Sequence, residues 1–106
     1  MVVRSATALL VDDDDATYEA TQHRLEDDGY SVVVARDAVD GLSRAKRSAP
    51  DVIFTHLVAS ARGNVAFIQA LRSDDVCRHM PVKILTGRTE PDQRHKQLRP
   101  VSRDRW

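Results

Sequence analysis

The sequence predicts an α/β fold built on an open parallel sheet. Leu9-Leu10-Val11 runs straight into Asp12-Asp13-Asp14-Asp15. A short apolar run with a sharp polar stop reads as a buried strand of a parallel sheet. Three further apolar runs, around Val32-Val33-Val34, Val52-Ile53-Phe54 and Val82 to Leu85, recur with helix-length segments between them. Strands alternating with helices imply a parallel sheet with right-handed crossovers. The acids then fall just beyond the carboxyl end of the first strand, where open α/β sheets place their ligand sites.

Each element has a local reason. Thr7 to Val11 is the first strand. Asp14 or Asp15 opens a helix, where carboxylates suit the positive end of the dipole. It runs to about Asp28 and is ended by Gly29 as a left-handed cap. Its apolar stripe is thin: Ala16, Ala20 and Leu25, with Thr17 and Thr21 beside them. Tyr30 to Ala35 is the second strand. Asp37 caps the next helix, with Asp40 three residues on as a capping-box acid. That helix shows Ala38, Leu42 and Ala45 and ends near Ser48, before Pro50. Asp51 to His56 is the third strand. After a loop from Val58 to Gly63, Asn64 is the expected cap of a third helix with Val65, Ile68 and Leu71 on its face and Phe67 alongside. Pro81 leads into a fourth strand, Val82 to Thr86. Thr89-Glu90-Pro91-Asp92 reads as another helix start, with Pro91 at its first position.

The chain has 106 residues, the size of one small domain, with a core over about 5–88 and a polar, basic tail over 89–106. Sixteen basic and sixteen acidic residues balance, so nothing global points to nucleic acid or to a membrane. No apolar stretch is long enough to span a bilayer. The single cysteine, Cys77, fits a reducing cytoplasm and is read as a bystander. His23, His79 and His95 are read as solvated.

Packing like charges together costs energy unless a cation or hydrogen bonds offset it. Asp12 and Asp13 are therefore assigned to a pocket, and Asp14 and Asp15 to the helix start.

Leu-Leu-Val-Asp-Asp-Asp near the start, Asp-Gly-Tyr-Ser-Val-Val-Val-Ala at the second strand, Ala-Pro-Asp-Val-Ile-Phe-Thr at the third and Met-Pro-Val-Lys-Ile-Leu-Thr-Gly at the fourth occur in order. Over roughly Thr7 to Arg88 the chain thereby resembles the receiver domains of bacterial response regulators, which are CheY-like. The resemblance implies a flavodoxin-like sheet with helices on both faces and strand order 2-1-3-4-5; this sequence departs from it at the carboxyl end, where the fifth strand and helix are read as reduced or absent, leaving 2-1-3-4. It also implies transfer of a phosphoryl group from a sensor kinase's phosphohistidine to an Asp ending the third strand, with Mg²⁺ on the acids after the first. Asp12 and Asp13 match the acid pair and Thr86 the switch hydroxyl. The phosphoacceptor position is occupied by His56. Asp51, five residues upstream, sits about 16 Å away along an extended strand. Arg99-Pro100 is the only Lys-Pro-like pair, and no aliphatic run precedes it. Lys83 and Lys96 are the other candidate cations.

Replacing a carboxylate by imidazole removes a hard ligand and a negative charge together. Asp12, Asp13 and a backbone carbonyl near Val58 would remain, a set expected to bind Mg²⁺ weakly, with Asp13 the candidate ligand. No other cofactor is expected. The favoured reading of His56 is a hydrogen bond or ion pair with Asp12 or Asp13, closing the pocket by an internal contact. A nearby carboxylate favours the imidazolium form, which would mimic a metal's charge and make the domain's state pH-sensitive. Two other uses stand beside it: a phosphohistidine, or a softer ion such as Zn²⁺ or Mn²⁺ held with Asp12 and Asp13.

Without a fifth helix, apolar surface from residues such as Leu9, Val11 and Val33 would need covering by the tail with Trp106 as anchor, by a second copy or by a partner. A homodimer or partner-bound form is expected. The expected function is a stand-alone, non-enzymatic pseudo-receiver of two-component signal transduction, cytoplasmic, acting by contact with a protein partner such as a histidine kinase or another signalling protein. The alternatives are a conventional response regulator that accepts a phosphoryl group, and a truncated, non-functional receiver.

Overall fold

A computed structural model describes residues 6–85. The elements, in order, are β1 (Thr7–Asp12), α1 (Tyr18–Asp27), β2 (Ser31–Ala35), α2 (Ala38–Ser48), β3 (Val52–His56), α3 (Gly63–Arg72) and β4 (Val82–Ile84). All strand pairs are parallel, and the order is β2-β1-β3-β4. This is the predicted flavodoxin-like arrangement, with β1 and β3 in the middle. Their central position explains their composition: every residue of β3 is buried, and in β1 only Thr7 is not fully so.

Alternation along β1 sends side chains to opposite faces. Leu9 and Val11 join Ala35, Ile53 and the helical residues Ala45, Phe67 and Leu71 under α2 and α3. Ala8 and Leu10 join Val52, Phe54 and Leu25 under α1. Leu9 and Val11 are fully buried. The expectation that they leave apolar surface exposed is therefore corrected: they lie on the face that α2 and α3 cover. Gly41 marks the closest approach of α2 to the sheet. A Cβ built there would lie 3.0 Å from both γ-carbons of Val11 and 3.1 Å from Cε1 of Phe67.

The helix ends need three corrections. α1 begins at Tyr18, not at Asp14 or Asp15. The Asp14 carbonyl instead accepts from the Thr17 and Tyr18 N–H groups, and the Asp14 side chain accepts from Ala16 N–H, so a turn precedes the helix. Ala16 and Ala20 are exposed; Leu25 is the fully buried residue of α1. In α3 the cap position is Arg62, not Asn64, and the buried face is Phe67 and Leu71, with Val65 exposed. Asp37 does cap α2, accepting from Asp40 N–H at 2.7 Å. Asp40 turns to Arg44 one helical turn on instead of closing a capping box. Gly29, at φ 105°, takes the left-handed conformation predicted for it.

Thr86, His95, Lys96, Arg99, Pro100, Trp106, the helix start at Pro91 and the tail all lie outside the described residues. No helix among the described residues is long and apolar enough to cross a membrane.

Candidate functional site

The site forms where β1 and β3 end side by side. Parallel pairing sets Asp12 opposite His56. Asp12 is fully buried and His56 is 5% exposed. His56 Nδ1 lies 3.2 Å from Asp12 Oδ1. A carboxylate only accepts hydrogen bonds, so the hydrogen of this contact belongs to Nδ1. The Thr17 hydroxyl donates to Asp12 Oδ2 at 2.9 Å, and its oxygen lies 3.4 Å from the same Nδ1. Asp14 N–H donates to Asp12 Oδ1 at 2.8 Å. The buried carboxylate thus meets three of the chain's own polar groups, as a charge taken out of water requires.

Asp13 faces the β3–α3 loop. Its Oδ1 accepts from Val58 N–H at 2.9 Å and its Oδ2 from Ala59 N–H at 3.1 Å. Its own N–H donates to the His56 carbonyl at 3.3 Å. The sequence reading expected a carbonyl near Val58 to serve as a ligand; the group of Val58 that meets Asp13 is its N–H.

Two residues that sequence reasoning did not place in the site hold this geometry. Arg36, just after β2, donates from Nε to the Asp12 carbonyl at 2.8 Å and from Nη2 to Asp15. Its guanidinium stacks 4.0 Å from the centre of the Tyr18 ring. The hydrogen bond to Asp15 raises its pKa above the ordinary arginine value, with burial opposing. Its signal was the register: Val11 pairs with Ala35, so the next residue of β2's strand line meets the end of β1. Asn64 is the other. Its Oδ1 accepts from the Thr55 hydroxyl and from Leu57 N–H, both at 2.8 Å, tying the end of β3 to the first turn of α3.

Asp51 lies at the opposite end of the sheet, where its carboxylate accepts from Thr7 N–H at 2.7 Å and its own N–H donates to the Thr7 carbonyl. Lys83 is exposed on β4. His23 and His79 are exposed, as expected. Cys77 is fully buried in the core under α2 and α3, and burial pushes its thiol pKa up.

Whether these residues fit Mg²⁺ can be tested on their donors. Mg²⁺ requires near-octahedral oxygen ligands and gives up water reluctantly. Each carboxylate oxygen of Asp12 and Asp13 already accepts from a donor fixed in the chain. Among the described residues, no group of three or more His, Cys, Asp or Glu side chains is placed to hold a metal ion. The residues do not fit the ion. The softer-ion option on Asp12, Asp13 and His56 lacks its three-ligand set for the same reason.

A family model of the response regulator receiver domain matches residues 8–102. The transcriptional regulatory protein CseB of Streptomyces avermitilis is 30% identical over 82 residues, 77% of this chain and 34% of that protein. The response regulator MprA of Mycobacterium leprae is 33% identical over 88 residues, 81% of this chain and 37% of that protein. The chain thus spans about a third of the length of these curated relatives. The structure of the Vibrio cholerae chemotaxis protein CheY4 superposes with a TM-score of 0.71 at 28% identity, covering 92% of this chain and 80% of that one. The receiver domain of the Pseudomonas aeruginosa sensor histidine kinase PA1611, whose structure has a magnesium ion in its active-site cleft, superposes with a TM-score of 0.71 at 21% identity, covering 86% and 75%. With the strand order and the acid pair at the end of β1, the match places this chain in the response regulator receiver domain family.

Proposed function

We propose that this receiver domain is a non-enzymatic module that signals in the cytoplasm by contact with a protein partner and without an aspartyl phosphate. One observation carries the reading: His56 ends β3, beside the acid pair, where the receiver resemblance puts the phosphoacceptor Asp. An imidazole cannot form an acyl phosphate. Asp51 cannot substitute, because it is bound to Thr7 at the other end of the sheet. Asp12 cannot substitute either, because it is buried and hydrogen-bonded on both oxygens. A histidine kinase or another signalling protein is the partner class the family implies, with a second copy of the chain as a further candidate. Binding of nucleic acid or membrane forms no part of the reading.

A second reading has one observation behind it. Nδ1 is engaged by Asp12 and Thr17, while Nε2 has no hydrogen-bond partner among the described residues. Nε2 is therefore the nitrogen that a phosphoryl donor would meet.

Incubation with phosphoramidate, followed by intact-mass measurement, separates the readings. The native chain is expected to gain no phosphoryl mass, and His56→Asp to gain one. A hydroxylamine-labile phosphoryl group on the native chain would overturn the proposal in favour of a conventional receiver. An acid-labile, hydroxylamine-resistant one that disappears in His56→Gln would overturn it in favour of a phosphohistidine.

A further inference from the structure

We infer that the acid pocket is closed by the chain's own donors and keeps its shape without a divalent ion, His56 standing in for the ligand that such an ion would need. The receiver resemblance implies Mg²⁺ on Asp12 and Asp13, and the donor set disagrees with it.

The argument rests on where each oxygen points. Asp12 Oδ1 is held by Asp14 N–H and faces His56 Nδ1; Asp12 Oδ2 is held by the Thr17 hydroxyl. Asp13 Oδ1 and Oδ2 are held by two successive backbone N–H groups, those of Val58 and Ala59. An ion entering this pocket would compete with these fixed donors for every oxygen, and at Asp12 it would do so on a fully buried carboxylate. A buried donor displaced there carries its own desolvation cost. His56 adds no oxygen ligand and brings a ring N–H toward Asp12, the opposite of what a cation requires.

The outer part of the loop is neutralised in the same way. Arg36 crosses from the end of β2 to the Asp12 carbonyl and to Asp15, and packs its guanidinium on Tyr18. A fixed guanidinium offsets the charge of the outer acids, in a place where an acid loop would otherwise recruit a mobile cation. Asp12, Asp13 and Asp15 therefore form a latch between β1, the β3–α3 loop and Arg36.

This inference rests on the placement of His56 used above, but not on how the domain signals. The experiment is an amide NMR titration of the full chain with Mn²⁺, whose unpaired electrons broaden nearby signals, together with thermal melts in millimolar Mg²⁺ and in chelator. In the native chain, the amides of Asp13, Asp14 and Val58 are expected to lose no more intensity than that of Asp51 at the far end of the sheet. The melting temperature is expected to be the same with Mg²⁺ and with chelator. His56→Asp is expected to show saturable loss of the Asp13, Asp14 and Val58 signals. Selective, saturable loss in the native chain would overturn the inference. Silence in a folded His56→Asp would overturn the part assigned to His56. Should His56→Asp fail to fold, Asp13→Asn decides: it is expected to leave the native Mn²⁺ profile unchanged, and any signal loss it abolishes would overturn the inference. Phosphoryl uptake without ion binding would sink the proposed function and leave the latch standing. Ion binding without phosphoryl uptake would do the reverse.

Discussion

His56 Nδ1 and Asp12 Oδ1 meet at 3.2 Å, from the paired last residues of two central strands, with both side chains buried. Removing His56 leaves Oδ1 with the Asp14 N–H and takes away one hydrogen bond to a buried carboxylate, a loss of about 1–3 kcal/mol. His56→Ala is therefore expected to lower stability by about 1–3 kcal/mol. Asp12→Ala is expected to cost more, because Thr17, Asp14 and His56 lose an acceptor together. The double variant should cost less than the sum of the two, with a coupling of about 0.5–3 kcal/mol. Urea unfolding of the four proteins measures this. Strict additivity would show that the contact does not hold the pocket.

Gly41 lies in α2, where alanine is normally the better helix former by about 1 kcal/mol. Here the added methyl group would lie 3.0 Å from Val11 and 3.1 Å from Phe67, both buried. Overpacking a core costs about 1–3 kcal/mol. Gly41→Ala is expected to destabilise by about 1 kcal/mol net, seen as a lower urea midpoint with an unchanged slope. A rise in the midpoint would mean that α2 can shift away from the sheet freely.

The sheet was legible because its signals are local and repeated. Four apolar runs, Gly29 as a left-handed cap and Asp37 as the cap of α2 each depend on neighbours in sequence. Asn64 misled because its partners are not local: its carboxamide reaches back to Thr55 and Leu57 instead of capping its own helix. The start of α1 misled for a related reason. Four acids in a row satisfy any helix-start rule, yet the Asp12 side chain takes Asp14 N–H and holds a turn there. The Asp12–His56 contact was legible because the spacing of both strands was. Arg36 was not, because one arginine among sixteen basic residues gains its role only when β2 lies against β1 in register.

Asp74 supplies a pH dependence with a definite sign. Its pKa is lowered first by the Val76 N–H at 2.8 Å, then by Lys46 at 3.3 Å and the Cys77 N–H, with burial opposing. A carboxylate depressed in the folded state stabilises the fold above its ordinary value of 3.8. In that window the unfolded chain binds more protons, so stability rises with pH. The contribution is lost as pH falls through 3.8 toward the folded value. Asp74→Asn keeps an acceptor for Val76 but cannot ionise or pair with Lys46. The stability gap between native and variant is therefore expected to be constant in the neutral range and to shrink as the pH falls below 3.8. Urea midpoints across that range check it; a gap that stays constant on acidification would remove Asp74 as the source.

Cys77 follows from the same turn. It is fully buried against the core, and burial, with the Asp74 charge beside it, pushes its thiol pKa up. The thiolate is the reactive form, so both exposure and ionisation act against modification in the folded chain. Alkylation at mildly alkaline pH should therefore need an opening of the structure and run slower than in urea by about a hundredfold or more. Cys77 belongs to the core cluster against which Met80 and Val82 pack, at the entry to β4. Its labelling rate consequently reports the opening of that corner. A rate that falls in step with rising stability across the Gly41 and His56 variants and the native chain would show that the corner opens only with the whole domain. A rate indifferent to both substitutions would show that the turn before β4 opens by itself, ahead of the sheet.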